Sequence, residues 1–139
     1  MKKIVGAVDP QVLYRRRVDL SVGEQILRSA ATIEQTFGGL TANLWDDPFE
    51  WTLPETLSTP ESIVEYLSEV DSIRQRFFNS IEDDDALTKY VSVPSGEPRP
   101  LVELLIETLV RASDHRGRAL AIVQTEPQRG TRSTITSDA

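Results

Sequence analysis

The chain contains no cysteine and only one histidine, His115, among its 139 residues. Without cysteine there are no disulfides, thiolate metal ligands or cysteine nucleophiles, and a single imidazole excludes a site built from several histidines of one chain. No apolar run approaches the ~20 residues of a membrane span, so no membrane partner is expected. Fifteen basic residues against 22 acidic ones leave a net charge of −7, which argues against a nucleic-acid partner.

The N-terminal segment also lacks the features of a targeting signal. Lys2 and Lys3 precede an apolar run that is too short for a signal peptide, so we expect a cytoplasmic protein. A length of 139 residues corresponds to one domain at ~150 residues per domain. A domain of that size buries enough surface to fold without disulfides or a structural metal.

The first long amphipathic helix is predicted from about residue 21 to 44. Ser21 and Glu24 have the spacing of a capping box, and apolar residues then recur at steps of three, four or seven. Gly38 and Gly39 weaken this helix, because each glycine costs ~1 kcal/mol relative to alanine. Either the helix bends there, or a neighbour packs closely against the missing side chains.

Two further long helices are predicted. Thr59 is a suitable N-cap and Pro60 a suitable first residue for a helix over 60–81. The carboxylates of Glu82–Asp85 are expected to end this helix, and their spacing does not match a calcium loop. The last helix is predicted from Leu101 to about Gln124.

The remaining segments are predicted to be short connections. The loop 45–57 is expected to fold its aromatic residues onto the helices, because exposed tryptophans at that density form an unusual apolar patch; these are Trp45, Phe49 and Trp51. Residues 91–93 are expected to be extended before a turn at 94–96, with no convincing strand pair. Residues from Thr125 onward lack apolar periodicity and are expected to form a tail.

The N-terminal arm is predicted to hold one short helix that begins at Asp9 and Pro10, with three apolar residues facing inward: Val12, Leu13 and Val18. We therefore divide the chain into an arm over 1–19, a helical domain over 20–124 and a polar tail over 125–139. The fold class expected is all-α, an antiparallel up-and-down four-helix bundle with a short or incomplete first helix.

The last helix is apolar on two sides, which indicates burial on two sides. One stripe runs through Leu104, Thr108 and Ala112 and is assigned to the core. The second stripe comprises Val102, Ile106, Leu109, Leu120 and Val123. Because a short first helix leaves a groove uncovered, we expect the second stripe to form a homodimer interface.

Arg111 and His115 lie four residues apart and therefore on one face of the last helix. If that face meets the stripe of the first long helix, Ser29 joins them inside the bundle. A buried guanidinium needs a carboxylate or an anion, and Asp71 and Glu34 are the candidate carboxylates. The cluster is therefore either a pocket for a small anionic or hydrogen-bonding ligand, or a closed ion pair with a locally bonded histidine.

Three sequence features resemble the DinB-like, or YfiT-like, superfamily of bacterial four-helix proteins over residues 20–124. They are the helix opening Leu20-Ser21-Val22-Gly23-Glu24, the segment Asp114-His115-Arg116-Gly117-Arg118, and Leu87 followed by a Pro/Gly-rich approach to the last helix. In that family three histidines commonly bind a divalent metal. The resemblance places them at Ser29, Arg111 and His115, of which only His115 is an ordinary ligand, so we expect no metal and no cofactor.

The function expected is that of a metal-free, dimeric protein that binds a small anion or serves in assembly. The alternative is a metal- or thiol-dependent transferase or hydrolase with His115 as general base, which requires an orienting partner and a nucleophile. Ser29 and Ser113 qualify as nucleophiles by residue type only. A third hypothesis is an interaction module with no small-molecule site.

Overall fold

The computed structural model describes residues 1–15, 17, 19–50 and 55–125. This part of the chain is mostly helical. Its four helices are α1 (Lys2–Ala7), α2 (Val22–Ala42), α3 (Pro60–Ser80) and α4 (Leu101–Thr125), with short 3₁₀ helices at Pro48–Glu50 and Asp84–Thr88. Within the described residues, no helix has the length and apolar character needed to cross a membrane.

The start of α2 confirms the predicted capping box. The Ser21 hydroxyl accepts from the Glu24 amide at 3.2 Å, and the Glu24 carboxylate accepts from the Ser21 amide at 2.7 Å. The helix ends at Asn43, whose left-handed φ of 55° turns the chain back. The end comes before residue 44, because the Leu44 amide donates to Gly38 instead of continuing the helical pattern.

Close packing explains the glycine pair in α2. A side chain at Gly39 would overlap the indole ring of Trp45, which lies directly on the helix backbone. The ring is held there by a hydrogen bond from its Nε1 to Asn43 Oδ1 at 3.0 Å. The second of the two alternatives is therefore confirmed, and Phe49 also folds inward, 3.7 Å beneath the Arg28 guanidinium. Trp51 lies outside the described residues.

The boundaries of α3 and α4 confirm the sequence prediction. Thr59 caps α3 by accepting from the Ser62 amide at 3.2 Å, and Pro60 is the first helical residue. After Ser80, Asp83 accepts from the Asp85 amide and caps a new 3₁₀ helix, so the carboxylate run separates two helices. Of the predicted tail, residues 126–139 lie outside the described part of the chain.

The direction of α3 corrects the expected up-and-down order. Residues that contact each other across α2 and α3 increase in sequence number along both helices: Glu34 contacts Tyr66, and farther along Phe37 contacts Phe77. The two helices therefore run in the same direction. The physical reason is the long connection over 43–59, which is ample to return along a 21-residue helix of about 32 Å.

The N-terminal helix lies earlier than predicted. It spans Lys2–Ala7, whereas residues 10–14 form turns. Ile4, Val5 and Val8 are buried in the main core, which favours a helix over that segment. The Asp9 carboxylate accepts from the Gln11 amide at 3.0 Å and so stabilises a turn. Leu13 is buried as expected, and Val18 lies outside the described residues.

A small sheet was not expected. Tyr90–Val91 pairs with Arg99–Pro100 in antiparallel register across the predicted turn. The pairing follows from the approach to α4, where the Leu101 amide donates to Lys89 at 2.8 Å. This hairpin places Arg99 beside α4.

The two apolar stripes of α4 differ in how deeply they are buried in the described part of the chain. The first is buried at Leu104, Thr108, Ala112 and Ala119, where α4 packs on α2. Leu120 and Val123 of the second stripe are half-buried against this chain's own core, which corrects the expectation that they face a partner. The rest of that stripe forms an exposed face, where Val102, Ile106 and Leu109 are 37%, 56% and 66% exposed. The helix α1 contacts α3 and α4 but is too short to cover this face.

Candidate functional site

A ladder of polar contacts joins α2 to α4. His115 Nδ1 lies 2.8 Å from Gln25 Oε1, and the Ser29 hydroxyl donates to the carbonyl of Ala112 at 2.7 Å. Farther along, the hydroxyls of Thr36 and Thr108 lie 2.6 Å apart. The paired residues of α4 decrease in sequence number as those of α2 increase, so these two helices run in opposite directions.

Each hydroxyl in this ladder is committed to a partner. The Thr108 hydroxyl donates to the carbonyl of Leu104, so its oxygen accepts the proton of Thr36. Ser29 is 1% exposed, and its proton is held by Ala112. The ladder therefore stabilises the packing of α2 on α4, and Ser29 is not poised as a nucleophile.

His115 is half-buried and neutral in its preferred state. Because Gln25 Oε1 only accepts hydrogen bonds, Nδ1 carries the proton and Nε2 keeps its lone pair. Burial lowers the pKa of His115 below its ordinary 6.5, Arg118, Arg28 and Arg111 act in the same direction, and Asp114 opposes them. The imidazole therefore has an orienting partner that the sequence did not reveal.

Arg111 does not join Ser29 and His115 inside the bundle. Its side chain is about half exposed, and its Nε lies 3.9 Å from Glu107, one turn earlier on α4. The expected partners are engaged elsewhere, since Glu34 accepts from Tyr66 at 2.5 Å and Asp71 pairs with Arg74 at 2.5 Å. The long arginine stem lets the charged end reach water instead of the core.

Arg111 instead lines a small pocket of about 240 Å³ beside the hairpin, together with Trp45 and Arg99. Arg99 is paired with Glu103 at 2.9 Å and with Glu107 at 2.5 Å. The hydrogen bond to Glu107 has the largest effect in raising the pKa of Arg99, and the hydrogen bond to Glu103 acts in the same direction. The lining holds two arginines and one glutamate, and Glu103 outside it also pairs with Arg99, so most of the positive charge at this pocket is neutralised.

Asp71 lines a different pocket, of about 370 Å³, to which all four helices contribute. Its walls carry four cationic side chains, which we call the cationic pocket: Lys2, Lys3, Arg74 and Arg116. Only Arg74 is paired with a carboxylate, Asp71, among the described residues. Sequence reasoning missed this cluster, because its members come from three distant segments; the Lys2-Lys3 pair was the only local signal.

The residues at the metal positions implied by the family resemblance do not fit a divalent cation. Ser29 has committed its hydroxyl to Ala112, Arg111 is cationic and half exposed, and His115 stands alone. A guanidinium does not lose its proton to become a ligand. In the described part of the chain no three or more histidine, aspartate or glutamate side chains are grouped as a metal would require.

Comparisons of the chain with protein-family models, with curated proteins and with solved structures found no match. Two features outside the polar ladder bear directly on the predicted function: the cationic pocket and the exposed face of α4.

Proposed function

We propose that this protein is a divergent, metal-free relative of the DinB-like superfamily that binds a small anionic ligand and assembles as a homodimer through α4. The capping box at Ser21 and the segment Asp114–Arg118 support the resemblance. The short first helix and the replacement of two metal ligands mark the divergence. Ligand binding is assigned to the cationic pocket and not to Arg111.

The charge of the cationic pocket carries this proposal. Four positive side chains against one carboxylate leave an excess of three positive charges around the cavity, in a chain whose net charge is −7. Lys2, Lys3 and Arg116 have no carboxylate partner within the described residues. Such a concentration of like charge is stabilised by an anion, because charge-assisted hydrogen bonds then replace repulsion.

Thermal unfolding in the presence of anions tests this assignment. Inorganic phosphate and acetate are the probes, with chloride at equal ionic strength as reference. We expect phosphate at about 10 mM to raise the Tm, because a ligand of the folded state stabilises it by mass action. A Tm that rises equally in chloride contradicts the proposal.

Charge-removing variants locate the site. Lys3→Gln and Arg116→Gln should each weaken phosphate binding about tenfold. Arg118→Gln is the matched control, since Arg118 lies on the same helix but pairs with Asp114 at 3.0 Å. Equal losses in all three variants would show a general surface effect and not a site.

The exposed face of α4 supports the dimer. It presents bulky apolar side chains in the first half of the helix, at Val102, Ile106 and Leu109, and small residues in the second half, at Ser113 and Gly117. All five follow a helical stripe. A two-fold axis that pairs α4 with an antiparallel copy sets each bulky half against a small half.

The absence of native cysteine makes crosslinking a clean test of this dimer. A mixture of Val102→Cys and Gly117→Cys chains should form an intermolecular disulfide, and Val102→Cys alone should not. Self-linking of Val102→Cys would indicate a parallel pair, and Arg118→Cys, off the stripe, is the control. A monomeric mass by sedimentation at micromolar concentration would remove the dimer.

The second candidate is a metal- or thiol-dependent transferase or hydrolase that uses His115 as general base. One observation favours it: Gln25 orients the imidazole and leaves Nε2 free to accept a proton. Metal analysis of protein purified without chelators or a histidine tag distinguishes the two. We expect less than one equivalent of zinc, nickel or iron, and a full equivalent would revive this candidate.

A further inference from the structure

A groove lies between α2 and α3, beside the loop that follows α2. It has a volume of about 560 Å³, within the range of small-molecule sites. Its walls are the C-terminal halves of both helices and the loop that follows α2. The groove shares helices with the polar ladder and the cationic pocket, but none of its lining residues belongs to either.

The floor of the groove is apolar. Phe77 lies at the base and contacts the ring of Phe37 at 5.2 Å between centroids, and Ile73 lies one turn earlier on α3. The turn at Asn43 brings Leu44 back along α2, where it forms an edge of the groove and is 63% exposed. An apolar group seated here would cover Leu44 and remove its surface from water.

The two walls carry opposite charges. Glu34 and Asp46 belong to α2 and its following loop, whereas Arg76 belongs to α3. Asp46 and Arg76 form no ion pair or hydrogen bond with another described residue. Their sequence neighbours differ, because Asp47 pairs with Arg28 and Arg74 pairs with Asp71.

We propose that this groove binds a free α-amino acid with a bulky apolar side chain. The ammonium group faces Glu34 and Asp46, the carboxylate faces Arg76, and the side chain covers Phe77 and Leu44. An arginine matches a carboxylate through paired hydrogen bonds, and a carboxylate pair matches an ammonium. A ligand with only one of these charges leaves a wall of the groove unpaired.

Calorimetry with four probes tests the three parts of this site. L-phenylalanine should bind saturably. L-phenylalanine amide, which lacks the carboxylate, and N-acetyl-L-phenylalanine, which lacks the ammonium, should each bind about tenfold more weakly. L-alanine, which lacks the bulky side chain, should bind more weakly than L-phenylalanine. The proposal is overturned if L-phenylalanine shows no saturable binding, or if the two blocked derivatives bind as tightly as L-phenylalanine does.

Two variants assign each charge to a wall. Arg76→Gln should reduce the affinity for L-phenylalanine to that for its amide, while leaving amide binding unchanged. Asp46→Asn should reduce it toward the affinity for the N-acetyl derivative. Arg118→Gln, outside the groove, is the control for charge, and circular dichroism verifies that each variant is folded. Unchanged binding of L-phenylalanine by folded Arg76→Gln overturns the assignment.

Discussion

Two glycine-to-alanine substitutions distinguish the effect of helix propensity from the effect of packing against neighbouring side chains. Gly39 in α2 lies beneath the indole of Trp45, whereas no atom lies within 4 Å of a Cβ built at Gly117 in α4. The chemical change is identical at the two positions. Only the tertiary surroundings differ, so the pair tests whether close packing is the reason for the glycine in α2.

The expected magnitudes follow from two opposing terms. Alanine in a helix interior is favoured over glycine by about 1 kcal/mol, and Gly117→Ala should stabilise the protein by that amount. At Gly39 the same gain is opposed by overpacking against the Trp45 ring, which costs roughly 1–3 kcal/mol. Gly39→Ala should therefore range from neutral to destabilising by about 2 kcal/mol.

Urea unfolding followed by circular dichroism at two protein concentrations measures both changes, and the concentration series separates any effect on the dimer. A double-mutant cycle completes the assay. In a Trp45→Ala background the ring is gone, so Gly39→Ala should become stabilising by about 1 kcal/mol. Equal effects at Gly39 and Gly117, or a loss that persists without the ring, would refute the packing argument.

Two further predictions concern pH. The pKa of His115 is lowered below 6.5 in the folded state, so its contribution to stability is complete above pH 6.5 and is lost as pH falls toward the lowered pKa. His115→Gln should therefore reduce the fall in unfolding free energy between pH 7.5 and pH 5. An unchanged pH dependence in this variant contradicts the prediction. Burial raises the pKa of Tyr14 to about 12, and its hydroxyl donates to the carbonyl of Leu57. Stability should therefore fall as pH rises from 10 toward 12, and Tyr14→Phe, although less stable at neutral pH, should lose that part of the alkaline dependence in an absorbance and denaturation series.

Local chemistry accounts for the success of the helix predictions. Ser21 with Glu24, and Thr59 with Pro60, form caps within a few residues of each other, so their geometry is readable from spacing alone. The N-terminal prediction was wrong because Asp9 has two local uses. Its carboxylate stabilises a turn, while burial of the preceding apolar residues places the helix earlier.

The candidate site was harder to predict, because it depends on contacts between distant segments. Helical spacing predicted that Ser29 and His115 lie between the first and last long helices if those helices face each other, and both lie in the polar ladder between α2 and α4. The same spacing did not reveal that Arg111 bends toward Glu107. A long side chain has many rotamers, so the position of its charged end is set by its neighbours and not by its helix face.

The order of residues along the chain determined where each long helix begins and ends, and which faces of those helices are apolar. These properties depend on hydrogen bonds and side-chain spacing within a few turns. Only the tertiary structure decided that α3 runs alongside α2 in the same direction, and that Lys3 and Arg116 meet around one cavity. Those arrangements depend on how the long connections bring distant segments together, which no local sequence pattern encodes.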